Sequence, residues 1–353
     1  MKQNKKILIT YNAPVSIYSI YTGKPGTFTN GEHDLSENGF LGEIENICNS
    51  LKIYYDCVET LAINNNIESA INNIIKFNPD VIFNFVESVE GISSYEFCIA
   101  GVYELLGYQY TGNRPQTLGN CLNKSITKNI LKAFNIDSPS SFTLSNINEL
   151  NKKDFSLNFP VIIKLLKEDA SIGISENSVV YNFKNLLKQV GFLLNTYKTE
   201  IIIEEYIDGK ELNVAILGDS IFPISEISFK GLPKELPKIV TYESKWIADS
   251  DYYINTISVC PAKINDKLKK QVEEIATKSF KALKCRDYAR VDIRLGKNNK
   301  PYVIEINPNP DISVDSGFYK AAKIFGLSHD QLLNKLSEFA LNRSLNDTKN
   351  KAV

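Results

Sequence analysis

The stretch DYARVDIRLGKNNKPYVIEINPNPDIS (Asp287–Ser313) holds two apolar–polar alternations separated by the run KNNK. Alternation of this kind on both sides of a turn-forming run predicts a β-hairpin. Side chains alternate faces along a strand, so Arg290, Asp292 and Arg294 share one side and Val291, Ile293 and Leu295 the other. In the second strand Ile304 and Ile306 share a face, with Glu305 and Asn307 opposite. If the strands pair, Asp292, Glu305 and Asn307 converge as three hard oxygen donors, a set that suits Mg²⁺ held together with substrate phosphates. Arg290 and Arg294 would add positive charge beside it. The same alternation also describes a sheet with one solvated face, in which Pro308 and Pro310 merely end the pairing.

Working outward, the composition is that of an ordinary globular chain. The 353 residues are 43% hydrophobic with a net charge of -1, which argues against nucleic acid or an anionic membrane as the main partner. Cysteines stand at 48, 57, 98, 121, 260 and 285, none in C-x-x-C spacing, and the two histidines are His33 and His329. A structural zinc site is therefore not expected, and scattered buried thiols in a reducing compartment are. No apolar run reaches membrane-spanning length, and Asn12 and Pro14 interrupt the run after Lys5-Lys6, so neither a signal peptide nor a membrane is expected. The expected location is the cytoplasm.

The pattern divides the chain into an N-terminal parallel α/β domain (1–119), two α+β units (120–206 and 207–345) and a frayed tail (346–353). In the first, KKILITYN, IYYDCV and DVIFNFVE read as strands. A helix from Glu37 to Leu51 should bury Leu41, Ile44, Ile47, Cys48 and Leu51. IESAINNIIKF and the segment from Tyr95 to Leu106, stopped by Gly107, read as further helices. Strand–helix alternation implies a parallel sheet, with ligands at the strand ends near Tyr11 to Pro14 and Val86 to Gly91. In the second unit a helix from about Leu122 to Phe134 should face Ile126, Ile130, Leu131 and Phe134 inward. The strand FPVIIKLL, the loop KEDASIGIS, a helix from Asn182 to Tyr197 and the strand EIIIEEYI follow. The third adds ELNVAILG, SIFPISEIS, a long polar segment (229–251), a helix from Asp266 to Lys284, the hairpin, and a last helix with Ser328 and Gln331 spaced as a capping box.

Lys164 lies inside the apolar run PVIIKLL, where a lysine is costly unless it pairs, meets an anion or snorkels to the surface. The small-residue loop EDASIGIS offers backbone N–H groups able to wrap phosphate, and is equally readable as a surface turn. Neither a Walker loop nor G-x-G-x-x-G is present, so a nucleotide site must be of another type.

In order and spacing, YTGNRPQTLGNCLNKSITK, FPVIIKLLKEDASIGIS, IIIEEYIDGKELNVAILG, TYESKW, CPA, DYARVDIRL and VIEINPNP resemble the ATP-grasp superfamily, above all D-alanine–D-alanine ligases. The resemblance, from about residue 80 to 325, implies an ATP-grasp fold whose two α+β units clamp ATP. It implies that Lys124 and Lys164 contact ATP phosphates and that the loop with Ser171 and Gly173 closes over them. Glu204 and the backbone of Glu205, Tyr206 and Ile207 would hold adenine, and Glu211 the ribose. Lys245 would reach the transferred phosphate from a mobile loop, and Arg290 would stabilise charge at the reacting centre. Asp292, Glu305 and Asn307 would bind two Mg²⁺ ions, with Mn²⁺ an alternative. The reaction implied is activation of a carboxylate as an acyl phosphate, then attack by an amine, under lids formed by 167–175 and 229–251. A homodimer is implied by analogy.

The substrate segments depart from the family. The early G-G-x-S-x-E-x-x-V-S segment is replaced by TYNAPVSIYSIYTGK. F-N-x-x-H-G appears as FNFVESVEG, and Asp311 stands where glycine follows the metal-binding motif. Asp169-Ala170 replaces the usual glycine and serine of the phosphate loop. The expectation is an amide-forming ligase for another amino acid, peptide or natural-product acid, with Glu87, Glu90, Asp311 and Ser313 as pocket candidates. D-alanine–D-alanine ligase itself, a non-catalytic ATP-binding module and an ATP-dependent carboxylase component are the alternatives.

Overall fold

The computed structural model describes residues 2–13, 20–21, 28–29 and 35–350. Three sheets, each drawn from one contiguous stretch of chain, carry the architecture. In the first, Gln3–Asn12 lies between Tyr55–Ile63 and Val81–Phe85, all parallel. The helices Leu35–Leu51 and Ile67–Phe77 provide the crossovers. Every residue of Val81–Phe85 is buried, as expected for a parallel strand covered on both faces. The helix Glu96–Leu105 ends just before Gly107, which takes a left-handed conformation (φ +77°). The expected ligand end of the first strand is described only through Ala13; most of TYNAPVSIYSIYTGK, and His33, lie outside the described residues.

The second sheet is antiparallel, in the order Ser141–Leu144, Ile201–Glu205, Val161–Leu165, Val179–Val180. Val161, Ile163, Leu165, Ile201 and Ile203 face the helix Phe183–Tyr197 in one apolar cluster. Ile162, Lys164, Ile202 and Glu204 occupy the opposite face, because side chains alternate. The third sheet runs Ile257–Val259, Ser225–Ser228, Glu211–Leu217, Tyr288–Leu295, Pro301–Asn307. The helix Asp266–Ala282 packs on its apolar side, with Leu212, Val214, Val291, Ile293, Val303 and Ile306 in the cluster.

The hairpin forms, with one correction. Asp292 pairs with Glu305, but Ile293 pairs with Val303, so Ile304 is an extra residue on the second strand. This bulge inverts the phase on its N-terminal side: Val303 (1% exposed) and Ile306 (2%) face the core, and Ile304 does not. The expected helix from Leu122 to Phe134 is two helices, Pro115–Leu122 and Lys124–Ala133, divided at Asn123, whose side chain caps the second. Its buried face is Lys124, Thr127, Lys128 and Leu131, whereas Ile126 and Phe134 are exposed. The apolar periodicity misjudged that face because the helix turns two lysines inward.

Other differences are smaller. Phe222, Pro223 and Ile224 interrupt SIFPISEIS, leaving Ser220–Ile221 and Ser225–Ser228. The polar segment 229–251 leads through a short helix, Glu243–Trp246, and buries Ile239 and Tyr242; Tyr252 follows, also buried, in the helix Asp251–Asn255. The helix Gly317–Phe325 was not anticipated, and the last helix continues to Asn350 instead of fraying. Its capping box is present: Ser328 N–H donates to Gln331 Oε1 (2.9 Å) and Gln331 N–H to Ser328 Oγ (3.4 Å). The six cysteines are free, and Cys98 is exposed, contrary to a uniformly buried set. No helix among the described residues is long and apolar enough to cross a membrane.

Packing crosses the expected domain divisions. Ile7, Ile9 and Phe83 of the first sheet share a core with Ala215, Leu217 and Tyr288 of the third and with Leu332, Leu333 and Leu336 of the last helix. Cys121, Leu131 and Ile136 pack with the third sheet, not the second.

Candidate active site

The polar face of the hairpin is not a solvated one. Asp292 and Arg294 are each 4% exposed and Glu211 6%, which decides between the two readings of the alternation. Burying so many charges is costly unless each is paired, and here each is. Arg290 donates to both oxygens of Asp292 (Nε to Oδ1 2.7 Å, Nη2 to Oδ2 2.8 Å). Asn213, opposite Asp292 on the neighbouring strand, donates to Oδ1 (2.7 Å), and Asn307 Nδ2 donates to Oδ2 (3.0 Å). Arg294 does not add charge beside this group; it forms a buried pair with Glu211 (2.8 Å) and donates to the carbonyls of Ile207 and Lys238.

A cleft opens between this face and the polar face of the second sheet. Lys124, Lys164, Leu165, Lys245, Glu305, Asn307 and the loop residues Glu168 to Ile172 and Ile174 line it. Five of the expected phosphate and metal residues, Lys124, Lys164, Lys245, Glu305 and Asn307, thus meet in one place, with Ser171 above them. Lys124, at the start of its helix, donates to the Glu168 carbonyl (2.6 Å) and lies 3.5 Å from Asp169 and 3.6 Å from Glu305. Burial works against its ammonium, but Asp169, Glu305 and Glu204 together raise its pKa. Burial likewise opposes the Glu305 carboxylate, yet Lys124, Lys164, Lys245 and Arg290 hold its pKa below the ordinary glutamate value.

The loop over the cleft turns through two non-glycine residues in left-handed conformations, Ala170 (φ 52°) and Ser171 (φ 62°). Gly173 (φ +76°) is not part of the lining: a Cβ there would sit 3.1 Å from Leu165 Cγ and 3.5 Å from Tyr197 Cε2, so the loop packs closely on the core at this point. The Tyr242 N–H donates to the Ile174 carbonyl (3.1 Å), joining the two expected lid segments directly. That contact brings Lys245, on the helix Glu243–Trp246, to the rim. Ser93 donates to Glu168 (3.0 Å) and ties the first domain to the same loop.

The remaining expected residues stand outside this lining. Glu204 is 1% exposed, with Lys164 at 3.0 Å from Oε2 and Lys128 at 3.3 Å from Oε1. Burial would raise its pKa, but the two lysines outweigh it and depress it to about 2. The N–H groups of Glu205 and Tyr206 already donate to Ser140 and Pro160 carbonyls, and the Glu205 carboxylate accepts from Asn158. Glu87 is exposed, and Glu90 (φ 53°) sits with Gly91 in the tight turn between Val89 and Ile92. Asp311 accepts from the N–H and hydroxyl of Ser313 (both 2.8 Å), a local turn. Sequence reasoning missed Asn213 and Lys128. Asn213 had a signal, a polar residue inside ELNVAILG; Lys128 ends the stretch YTGNRPQTLGNCLNKSITK but was given no role.

The donor set passes the chemical test for a magnesium ion. It offers two carboxylates and a carboxamide on adjacent strands, all oxygen donors. Asn307 turns its nitrogen to Asp292, so its carbonyl oxygen points the other way, and the side chain lines the cleft. Among the described residues no three His, Cys, Asp or Glu side chains form a metal cage, so a metal here rests on this mixed set.

A sequence model of the family described as D-ala D-ala ligase C-terminus matches residues 132–338. D-alanine–D-alanine ligase A of Bacillus cereus is 30% identical over 270 residues, 76% of this chain and 84% of that protein. An uncharacterized protein of Sinorhizobium fredii is 32% identical over 265 residues, 74% of this chain and 75% of that one. The crystal structure of the D-alanine–D-alanine ligase of Bacillus anthracis complexed with ATP superposes with a TM-score of 0.71 at 22% identity, covering 98% of this chain and 99% of its own. That last likeness is one of fold.

Proposed function

The chain belongs to the D-alanine–D-alanine ligase family, and on that premise we propose how its cleft works and what kind of substrate it takes. It has the ATP-grasp fold and is an ATP-dependent, ADP-forming carboxylate–amine ligase. A carboxylate oxygen of the acid attacks the γ-phosphorus of ATP, and ADP leaves. The amine nitrogen then attacks the acyl carbon, losing a proton as phosphate departs. Phosphoryl transfer asks a protein chiefly for positioning and for neutralising spread negative charge.

The carrying observation is the convergence of Lys124, Lys164 and Lys245 on Glu305 and Asn307 in one cleft. Lys124 and Lys164 would flank the phosphates from below, and Lys245 would face the transferred group from the rim. Arg290, fixed by Asp292, would hold the charge that develops on the acyl oxygen. Asp292, Glu305 and Asn307 would hold magnesium, which supplies phosphate neutralisation and polarisation when bound. The contact between Tyr242 and Ile174 supports a lid that keeps water from the acyl phosphate.

The substrate reading is an acid or amine other than D-alanine. Its support is FNFVESVEG and NPNPDIS, which depart from the family, whereas the ATP and metal half matches it apart from Asp169-Ala170 in the phosphate loop. The test is ADP release with Mg²⁺ across a panel of acid–amine pairs that includes D-alanine alone, in wild type and Glu305→Gln. ADP release with a pair other than D-alanine, abolished in a folded Glu305→Gln, is expected. D-alanine as the best substrate would overturn the substrate reading. ATP binding without ADP release for any pair would favour a non-catalytic module, and retained turnover in Glu305→Gln would refute the metal assignment.

A further inference from the structure

Behind Lys124 and Lys164 lies another lysine, Lys128, which ends the stretch YTGNRPQTLGNCLNKSITK and to which the resemblance gives no role. Lys128 is 8% exposed, one helical turn after Lys124, and it does not line the cleft. Its ammonium donates to the Pro139 carbonyl (3.2 Å) and sits 3.3 Å from Glu204 Oε1, in an alignment too poor for a hydrogen bond. Glu204, in turn, holds Lys164 at 3.0 Å through its other oxygen. The result is a buried Lys128–Glu204–Lys164 row.

We propose that Lys128 is a positioning residue for ATP: it offsets Glu204, so that Lys164 presents net positive charge to the phosphates. The charge arithmetic is simple. With Lys128 ionised the row carries net +1; without it, Glu204 and Lys164 cancel. A buried, unscreened charge acts over several ångströms, so the loss should reach the cleft although Lys128 does not touch it. Burial, with Lys164 adding to it, lowers the Lys128 pKa, and Glu204 opposes them. An ammonium kept at that cost has a partner that needs it. A purely structural lysine would instead steady the helix and affect all ligands alike.

The proposal rests on the ATP reading and is separable from it. Calorimetric titration of ATP and, by competition, of adenosine is made on the full chain in wild type, Lys128→Met and Lys128→Arg, each checked by circular dichroism and thermal melting. Lys128→Met should weaken ATP about tenfold and leave adenosine nearly unchanged, and Lys128→Arg should restore ATP. Equal weakening of both ligands, unchanged ATP binding, or a folded arginine variant as weak as methionine would overturn it. Should Lys128→Met fail to fold, Lys128→Gln, which keeps a donor for Pro139, takes its place under the same expectations. Wild type that binds no ATP would overturn the function itself, and the wild-type titration shows this separately.

Discussion

At the scale of the residue, the site is a set of charges held by one another: Lys124, Glu204 and Asp292 are buried, while Glu305 and Asp169 keep part of their side chains in water. Glu204 shows the consequence for stability. Its carboxyl titrates near 2 in the folded chain against an ordinary 4.5, so the folded state favours the ionised form. The stabilisation is therefore present above about pH 4.5 and is lost as pH falls toward 2. It amounts to something on the order of 3 kcal/mol. Urea unfolding at pH 6 and pH 3 measures it: wild type should lose more stability between the two than Glu204→Gln. Equal losses would mean that the lysines do not stabilise this carboxylate. Lys164, Glu305 and Asn307 were legible in the sequence because each is polar within or beside an apolar run, whereas Lys124 was reached only through the family resemblance. Lys128 was not legible, because it is one of three lysines on the helix Lys124–Ala133 and carries no contrast.

Elements have their own failure modes, and the helix Lys124–Ala133 is the instructive one. Periodicity placed Ile126, Ile130, Leu131 and Phe134 inside, but only Leu131 is fully buried; Phe134 is 60% exposed. The site overrode the apolar pattern, since Lys124, which lines the cleft, and Lys128, which lies against Glu204, both point inward and one helix has one inner face. Leu131→Ala should therefore cost about 2 to 5 kcal/mol, while Phe134→Ser should stay within about 0.5 kcal/mol. Denaturant melts of the two variants decide it; comparable losses would restore the original phase. The hairpin teaches the same lesson. Alternation found Asp292, Glu305 and Asn307, which lie on the site side of the bulge, but it assigned Ile304 to the core in place of Val303. A bulge leaves no mark in a run of apolar residues, so register beyond it was not readable.

For the molecule as a whole, the alternation of strands and helices separated three units, yet it could not show how they are tied, because long-range polar contacts have no local signature. The tie is a knot around Asp287. Its carboxylate accepts from the Gly112 N–H (2.8 Å) and from both terminal nitrogens of Arg343 on the last helix (2.5 and 3.1 Å). Arg343 also donates to the Tyr110 carbonyl, and Arg286 donates to the Gly112 carbonyl (2.7 Å) with its guanidinium over the Tyr110 ring. The first domain, the hairpin and the last helix thus meet at one carboxylate, directly before the strand that carries Arg290 and Asp292. Removing its charge leaves two guanidinium groups facing each other without an anion. Asp287→Asn should cost about 2 to 3 kcal/mol, less than the ~3 to 5 kcal/mol of a fully buried pair because Arg343 keeps some exposure. Amide hydrogen exchange would locate the loss. Faster exchange at 110–114 and in the last helix, with the second sheet unchanged, is the expected outcome; uniform acceleration across all three sheets would show instead that the chain melts as one body and that the knot adds only to its total stability.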